Sequence, residues 1–376
     1  MSALPPLITH IIYRLDVGGL ENGLVNLINT MPEQNYRHAI ICITHATDFR
    51  QRIQRPDVSI YELNKAEGKN LWYYWTIYKL LRQLKPTIVH TRNIPTIECQ
   101  LSAFLAGIPY RIHGEHGWDV HDPDGNNVKY QWLRRIIKNF IHHFVPLSEQ
   151  LEDYLTEKIH VSTEKITRIS NGVDTGRFYP NPKGRATIIN CPFSDPNDLL
   201  IGTVGRMHGV KDQLNLVRAF IELRKAKHTR HVRLLLIGEG PLRQQAGLLL
   251  EKNGLIDDAW LPGWRSDIAD IMRGMDVFVL PSSSEGISNT ILEAMASALP
   301  VIATDVGGNA ELVNDATTGS IVPKSNHVLM AKALDAYIKQ PELLTQHGQA
   351  GYQRIHNEFS METMINQYHD VYDLHL

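Results

Sequence analysis

The stretch PSSSEGISNTILEAMASALPVIATDVGGNAELV, Pro281 to Val313, decides how this chain folds. Its first proline closes a short apolar run, DVFVLP (Asp276 to Pro281), which predicts a buried strand. SSSEGISN is loop chemistry ending in an N-cap at Ser288 or Asn289, and TILEAMASAL then reads as a helix. PVIAT (Pro300 to Thr304) is the next strand, and a glycine pair follows it. A helix start leaves backbone N–H groups unpaired at the positive end of the macrodipole. A diphosphate can therefore sit against Ser288, Asn289 and Thr290 without a dedicated lysine. Glu285 on the loop and Glu293 in the helix suit different hydroxyl-bearing parts of one extended ligand, and Gly286 leaves space beside Glu285. Taken alone, both glutamates read as solvated charges. Ala294, Ala296 and Ala298 allow the helix to pack closely on a sheet.

Outward from this unit, apolar runs alternate with helical patterns along the whole chain, the signature of parallel sheets covered by helices. In the first half the expected strands are Leu7 to Ile12, His38 to Ile43, Thr87 to Thr91, Tyr110 to Gly114 and His143 to Ser148. Helices are expected near Leu20 to Asn29, Leu71 to Leu84, Pro95 to Leu105 and Asn127 to Ile141. The pattern restarts with Leu199 to Gly205, Val232 to Gly238 and Ala259 to Gly263, ahead of the two strands already named. FYPNPKGR and NCPFSDPND have no helical period, so the boundary between two doubly wound α/β domains is expected between Pro180 and Asn197. Ligands of such sheets bind at the carboxyl ends of the strands.

A chain of 376 residues suits two such domains. A net charge of −2 gives no global basic field and argues against nucleic acid as a partner. Cys42, Cys99 and Cys191 have no zinc or redox spacing and read as reduced thiols. No signal peptide and no membrane span are legible, so a cytoplasmic protein is expected, with any membrane contact peripheral to the inner surface. The amphipathic segment Lys129 to Phe144 could touch anionic lipid, with Leu133, Ile136, Ile137 and Phe140 on one side and Lys129, Arg134, Arg135 and Lys138 around the rest. Packing on its own sheet explains it as well and is preferred.

Other motifs sit at strand ends. GTVGRMHGVKDQ (Gly202 to Gln213) puts Arg206 and Lys211 where a diphosphate would lie, the forked guanidinium and the compact ammonium together covering several oxygens. In IGEGPLR (Ile237 to Arg243), Gly238 and Gly240 permit close backbone approach by a ligand, or simply a tight turn. Trp264 fits either a nucleobase neighbour or a core indole. DVGGLENGL (Asp16 to Leu24) offers the N–H groups of Gly18 and Gly19. GEHGWDVHDPDG (Gly114 to Gly125), with His113 just before it, tempts a metal reading through its histidines, His116 and His121, and Asp119. The spacing fixes no coordination geometry. Asn171 and Asp174 in ISNGVDTGRFYP are explained as turn residues.

The EG…EAMA context, a glutamate, seven residues and a second glutamate, resembles family 4 of the retaining glycosyltransferases. The likeness extends over nearly the whole chain and is strongest from Val204 to Val313. It implies a GT-B fold: two Rossmann-like domains with a cleft between them. These would be an acceptor-side domain over residues 1–185, a nucleotide-sugar domain over 186–355 and a helix over 356–376 that crosses back. The resemblance implies that Glu285 meets the donor hexose, Glu293 the ribose, Arg206 and Lys211 the diphosphate, and His116 with Gly117 the transferred sugar. Gly18, Gly19, Gly238, Gly240, Trp264, Gly286, Ile287, Ser288, Asn289 and Thr290 complete the donor contacts, and Asp119 touches the acceptor. It further implies a UDP-sugar or GDP-sugar donor, no metal cofactor, and a glycan or lipid-linked acceptor in exopolysaccharide or lipopolysaccharide assembly. Two other functions fit such a chain: a nucleotide-sugar epimerase, and a non-catalytic sugar-nucleotide-binding subunit.

Overall fold

The structure is a computed structural model describing residues 4–66, 68, 72–119, 122, 124–229, 231–374 and 376. It divides into two compact units, one of Met1–Asn171 with Met364–Leu376 and one of Gly172–Thr363.

Unit 1 is built on six parallel strands: β1 (Leu7–Ile12), β2 (Arg37–Cys42), β3 (Ser59–Glu62), β4 (Ile88–Arg92), β5 (Tyr110–Glu115) and β6 (His143–Pro146), in the order β3-β2-β1-β4-β5-β6. Unit 2 repeats the design with β7 (Leu199–Val204), β8 (Val232–Ile237), β9 (Ala259–Gly263), β10 (Val277–Leu280), β11 (Val301–Thr304) and β12 (Gly319–Val322), ordered β12-β11-β10-β7-β8-β9. Each sheet reverses its strand order once, between β1 and β4 and between β7 and β10. Loops at the carboxyl ends diverge there and leave a crevice for ligand. The central strands are buried on both faces, which is why they read as near-continuous apolar runs. In unit 2, Ile201, Leu234, Leu236, Val277, Val279 and Ile302 pack under helices Gln213–Leu223 and His327–Lys339. Each such side chain contributes about 1.5–3 kcal/mol of apolar burial.

Several expectations need correction. β3 and β12 were not foreseen: both are four-residue edge strands of mixed polarity, SIYE and GSIV, whose half-exposed pattern lacks an apolar run. The helix expected over Pro95 to Leu105 is two helices, Ile94–Ile97 and Cys99–Leu105, and that over Asn127 to Ile141 ends at Ile137 with a 3₁₀ turn beyond. Arg134, expected on the polar face, is buried and forked onto Glu115 at 2.6 and 3.1 Å. The boundary falls at Asn171, upstream of the proline-rich stretch. That stretch is held on unit 2: Arg185 donates to the carbonyls of Asp195 and Asp198 and to Asp276, and the Ala186 N–H donates to Arg273 O at 3.0 Å. Polar docking of this kind leaves no periodic trace in a sequence.

Helix Met361–Asp373 lays Tyr368 and Tyr372 on unit 1, where the Tyr372 hydroxyl lies 2.9 Å from His90 Nδ1 and Tyr36 donates to Asp373.

Candidate functional site

At the switch point of unit 2, two loops meet. The loop after β7 carries Arg206 and Lys211; the loop after β10 carries Glu285 to Ser288. They are joined by backbone and side chain: the Ser283 N–H donates to Val210 O at 2.9 Å, and Lys211 Nζ donates to Glu285 Oε1 at 2.5 Å. Ser282 Oγ donates to the same oxygen at 2.6 Å. The Glu285 side chain is only 9% exposed, so this ion pair is well shielded from water. Arg206 is exposed beside it, and among the described residues its guanidinium has no ion-pair partner. Gln213 Nε2 donates to Arg206 O at 2.9 Å and braces the loop.

Helix Asn289–Ala296 begins at this point. Its N-cap, Ser288, makes no side-chain capping bond, its hydroxyl lying instead 3.1 Å from that of Thr290. The first-turn N–H groups keep their electropositive field without a side-chain cap, as an anion seat requires. Glu293 lies in the same helix, partly buried; desolvation pushes its pKa up to about 7, with only Arg177 pulling the other way. The two carboxyls are therefore different groups: Glu285 is paired with a cation, and Glu293 is held by burial well above the usual carboxylate range.

Glycines set the spacing. A Cβ on Gly238, at φ +142°, would stand 2.0 Å from Gly205 O, and one on Gly240, at φ +147°, 2.3 Å from Met207 O. The close packing on the backbone of the Arg206 loop requires glycine at both positions, as the tight-turn alternative expects. Gly307, after β11, lies against the loop of Glu285, where a Cβ would meet Glu285 O at 2.1 Å. The Gly308 N–H donates to Gly286 O at 2.8 Å, and Thr304 Oγ1 donates to Ser282 O at 2.6 Å. Ile287 is buried. Trp264 follows β9 and is 72% exposed, which excludes the core-indole reading.

In unit 1, Gly18 is the N-cap of helix Gly19–Thr30, in extended backbone, with Gly19 exposed. His116 follows β5. Its backbone N–H donates to Asn93 Oδ1 at 2.6 Å, and Asn93 itself holds a left-handed φ of +60° just after β4. The ring folds over Gly114, where a Cβ would stand 2.5 Å from Nε2, and that nitrogen is buried without a hydrogen-bond partner among the described residues. Burial, aided by Arg92, pushes His116 down to about 3, so the imidazole is neutral. Behind it lie His10 and His90, register partners on β1 and β4, with His10 Nδ1 3.0 Å from buried Arg92. Asp119 closes a turn, its carbonyl accepting from the Asp122 N–H at 2.9 Å. His121 lies outside the described residues.

Asn93, Arg92, Ser282 and Thr304 were missed. The histidines recurring in ITHII, RHAII, IVHTR and RIHGEH were the available signal for the polar centre of unit 1. Among the described residues no group of three or more His, Cys, Asp or Glu could hold a metal ion.

A family model described as Glycosyltransferase Family 4 matches residues 17–177, and one described as Glycosyl transferases group 1 matches 198–340. The UDP-Gal:alpha-D-GlcNAc-diphosphoundecaprenol alpha-1,3-galactosyltransferase of Escherichia coli is 28% identical over 306 residues, 79% of this chain and 78% of that protein. A glycosyltransferase from Rickettsia africae superposes with a TM-score of 0.81 at 21% identity over 98% of both chains. Anabaena HepE in complex with UDP and glucose gives 0.80 at 17% identity over 98% of this chain and 99% of that one. The fold is therefore GT-B, and the epimerase reading is not favoured.

The raised pKa of Glu293 has a pH signature. The folded state holds this proton up to about pH 7, whereas the unfolded chain releases it near 4.5. Its stabilising contribution is complete below the unfolded value and is lost as pH rises through the folded one. Glu293→Gln, neutral throughout, should gain stability relative to the parent between these values. Urea unfolding at pH 5 and pH 8 measures the difference; an identical gap at both would show that Glu293 titrates normally.

Proposed function

Because this chain belongs to the family 4 and group 1 glycosyltransferases, we propose that it moves a hexose, with retention, from a UDP-sugar or GDP-sugar to a hydroxyl of a glycan or lipid-linked glycan. The observation that carries this reading is the Lys211–Glu285 pair beside the uncapped start of helix Asn289–Ala296. Anion-binding and hydroxyl-binding groups converge there at the strand-order reversal of one sheet. The Escherichia coli relative is named for galactosyl transfer to a diphosphoundecaprenol-linked sugar, which supports a lipid-linked acceptor. Among the described residues no helix is long and apolar enough to cross a membrane, so such an acceptor would be met peripherally, at the inner membrane surface of a cytoplasmic protein.

The steps follow from the charges. The donor diphosphate takes Lys211 as a partner alongside Arg206 and the N–H groups of Ser288, Asn289 and Thr290, releasing Glu285 to accept from a sugar hydroxyl. Glu293 exchanges hydrogen bonds with the ribose. His116, neutral and with Nε2 unpaired, accepts from the transferred hexose, while Gly18 and Gly19 offer N–H groups to the diphosphate and Asp119 contacts the acceptor. Gly286 and Ile287 shape the floor, and Trp264 lies beside the base. As the anomeric C–O bond to the diphosphate breaks, negative charge grows on the leaving oxygen. That oxygen takes the proton of the attacking hydroxyl on the same face as the new C–O bond forms. Arg206 and Lys211 act chiefly on this growing charge, which lowers the barrier more than it tightens ground-state binding.

Arg206→Ala and Lys211→Ala should each reduce turnover by roughly ten- to a thousandfold, as loss of a charge-stabilising contact does. Single-turnover assays of the folded variants decide it, and near-parental rates in both would remove the assignment. Glu293→Gln should weaken binding of free nucleoside diphosphate and of intact donor alike. Glu285→Gln should leave the diphosphate nearly unaffected yet weaken donor binding by about 1–3 kcal/mol. Calorimetry with both ligands tests the division; equal losses in the two variants contradict it. Transfer should also persist in EDTA, since protein cations supply the charge stabilisation. Abolition by EDTA with recovery on adding magnesium or manganese would overturn that part of the reading.

A further inference from the structure

Unit 1 carries an apolar face that no described residue covers. Helices Trp72–Leu84, Cys99–Leu105 and Val128–Ile137 surround a groove of about 450 Å³ lined by Tyr74, Trp75, Tyr78, Leu101, Leu105 and Ile137. A surface helix normally turns polar residues outward; these turn large apolar side chains outward as well. Trp72 is 76% exposed and Trp75 50%, one turn apart on the outward side of the first helix, with Trp75 stacked on Tyr78 at 4.7 Å. The outward residues of the second helix are Leu101, Phe104 and Leu105. On the third, Trp132 is 64% exposed and Ile136 38%. Phe104 meets Phe140 at 5.0 Å, joining the second helix to the end of the third segment. Contiguous exposure on this scale marks an interaction surface.

The charges name the occupant. None of the three helices contains an acidic residue, and Lys79, Arg82, Lys129 and Arg135 are exposed on them. Lys79 Nζ rides over the Trp75 ring at 5.5 Å, and Arg135 donates to Lys158 O at 2.6 and 2.9 Å while remaining exposed. Glu98 also lines the groove, where it accepts from the Tyr74 hydroxyl at 2.5 Å. Indoles and a tyrosine beside lysine and arginine, over an apolar groove, match the boundary of an anionic bilayer: rings at headgroup level, aliphatic side chains below, cations at the lipid phosphates.

We propose that this face seats unit 1 on an anionic lipid bilayer, with the groove taking acyl-chain segments. The proposal deepens the reading of a lipid-linked acceptor, yet its test uses neither donor nor acceptor. The full chain is sedimented with vesicles of phosphatidylcholine alone and of phosphatidylcholine with phosphatidylglycerol. Brominated acyl chains in a parallel series report tryptophan insertion in the unmodified protein. Expected results are partitioning onto the anionic vesicles, weakening with salt, quenched tryptophan emission, and at least about a tenfold lower partition coefficient for the double variant Trp75→Glu, Leu105→Glu. Leu248→Glu, at an exposed leucine of unit 2, should bind vesicles like the parent. Trp72→Ser with Trp75→Ser, both at exposed positions, gives the same test without new charge. Parental protein left in the supernatant with every vesicle, or undiminished binding by both double variants, overturns the proposal. So does a dimer seen by light scattering that Leu105→Glu dissociates, which would assign the face to a second copy. Vesicle binding without sugar transfer would instead refute the function and leave this surface standing.

Discussion

The candidate donor site depends on backbone lying directly against backbone. At the carboxyl end of the second sheet, Gly238 and Gly240 let one loop stack on Gly205 and Met207, and Gly307 lets another stack on Glu285. No side chain separates these layers. The four loops, after β7, β8, β10 and β11, form one slab fastened by Met207 N–H to Glu239 O at 2.8 Å, Ser283 N–H to Val210 O at 2.9 Å and Gly308 N–H to Gly286 O at 2.8 Å. Without that contact, Lys211 and Glu285, 74 residues apart, would have no reason to meet. A side chain in any of the gaps would open the slab and move the cation from the carboxylate.

The two glutamates show how burial and partnership separate identical groups. Glu285 is nearly covered, but an ammonium and a hydroxyl satisfy one of its oxygens. Among the described residues Glu293 has no such partner, so desolvation dominates and pushes its pKa up to about 7. Unit 1 resolves the same tension with neutral rings. Arg92 sits among His10, His90, Tyr368 and Tyr372, and its charge adds to burial in keeping the histidines unprotonated. Glu115 nearby is the opposite case: burial would raise it, but the forked Arg134 outweighs burial and holds it low.

Much of this was legible before any coordinates. Parallel strands buried on both faces need apolar runs, helices between them need a periodic stripe, and loops at strand ends need glycine and polar caps. Ten of the twelve strands follow from those local rules, and Arg206, Lys211, Glu285, Ser288 and Glu293 stand as candidates through the family resemblance. The edge strands β3 and β12 escaped because one exposed side removes the apolar signal. The docked stretch after Asn171 escaped because proline and asparagine read alike in a linker and in a segment pinned by Arg185.

What local pattern could not supply is anything that depends on which loop lies beside which. The order β12-β11-β10-β7-β8-β9 places the β7 and β10 loops together, and only then does Lys211 become the partner of Glu285. Gly238 and Gly240 lie against neighbouring backbone, a contact that their residue type alone does not specify. Trp264, undecided as a residue type, is solvent-facing because β9 lies at a sheet edge. Likewise, Trp72, Trp75, Leu101, Leu105 and Trp132 look like core residues one helix at a time, since periodicity reports an apolar face without saying what covers it. Packing leaves that face open, because each of these helices buries its other side on the sheet and no further layer lies outside them among the described residues.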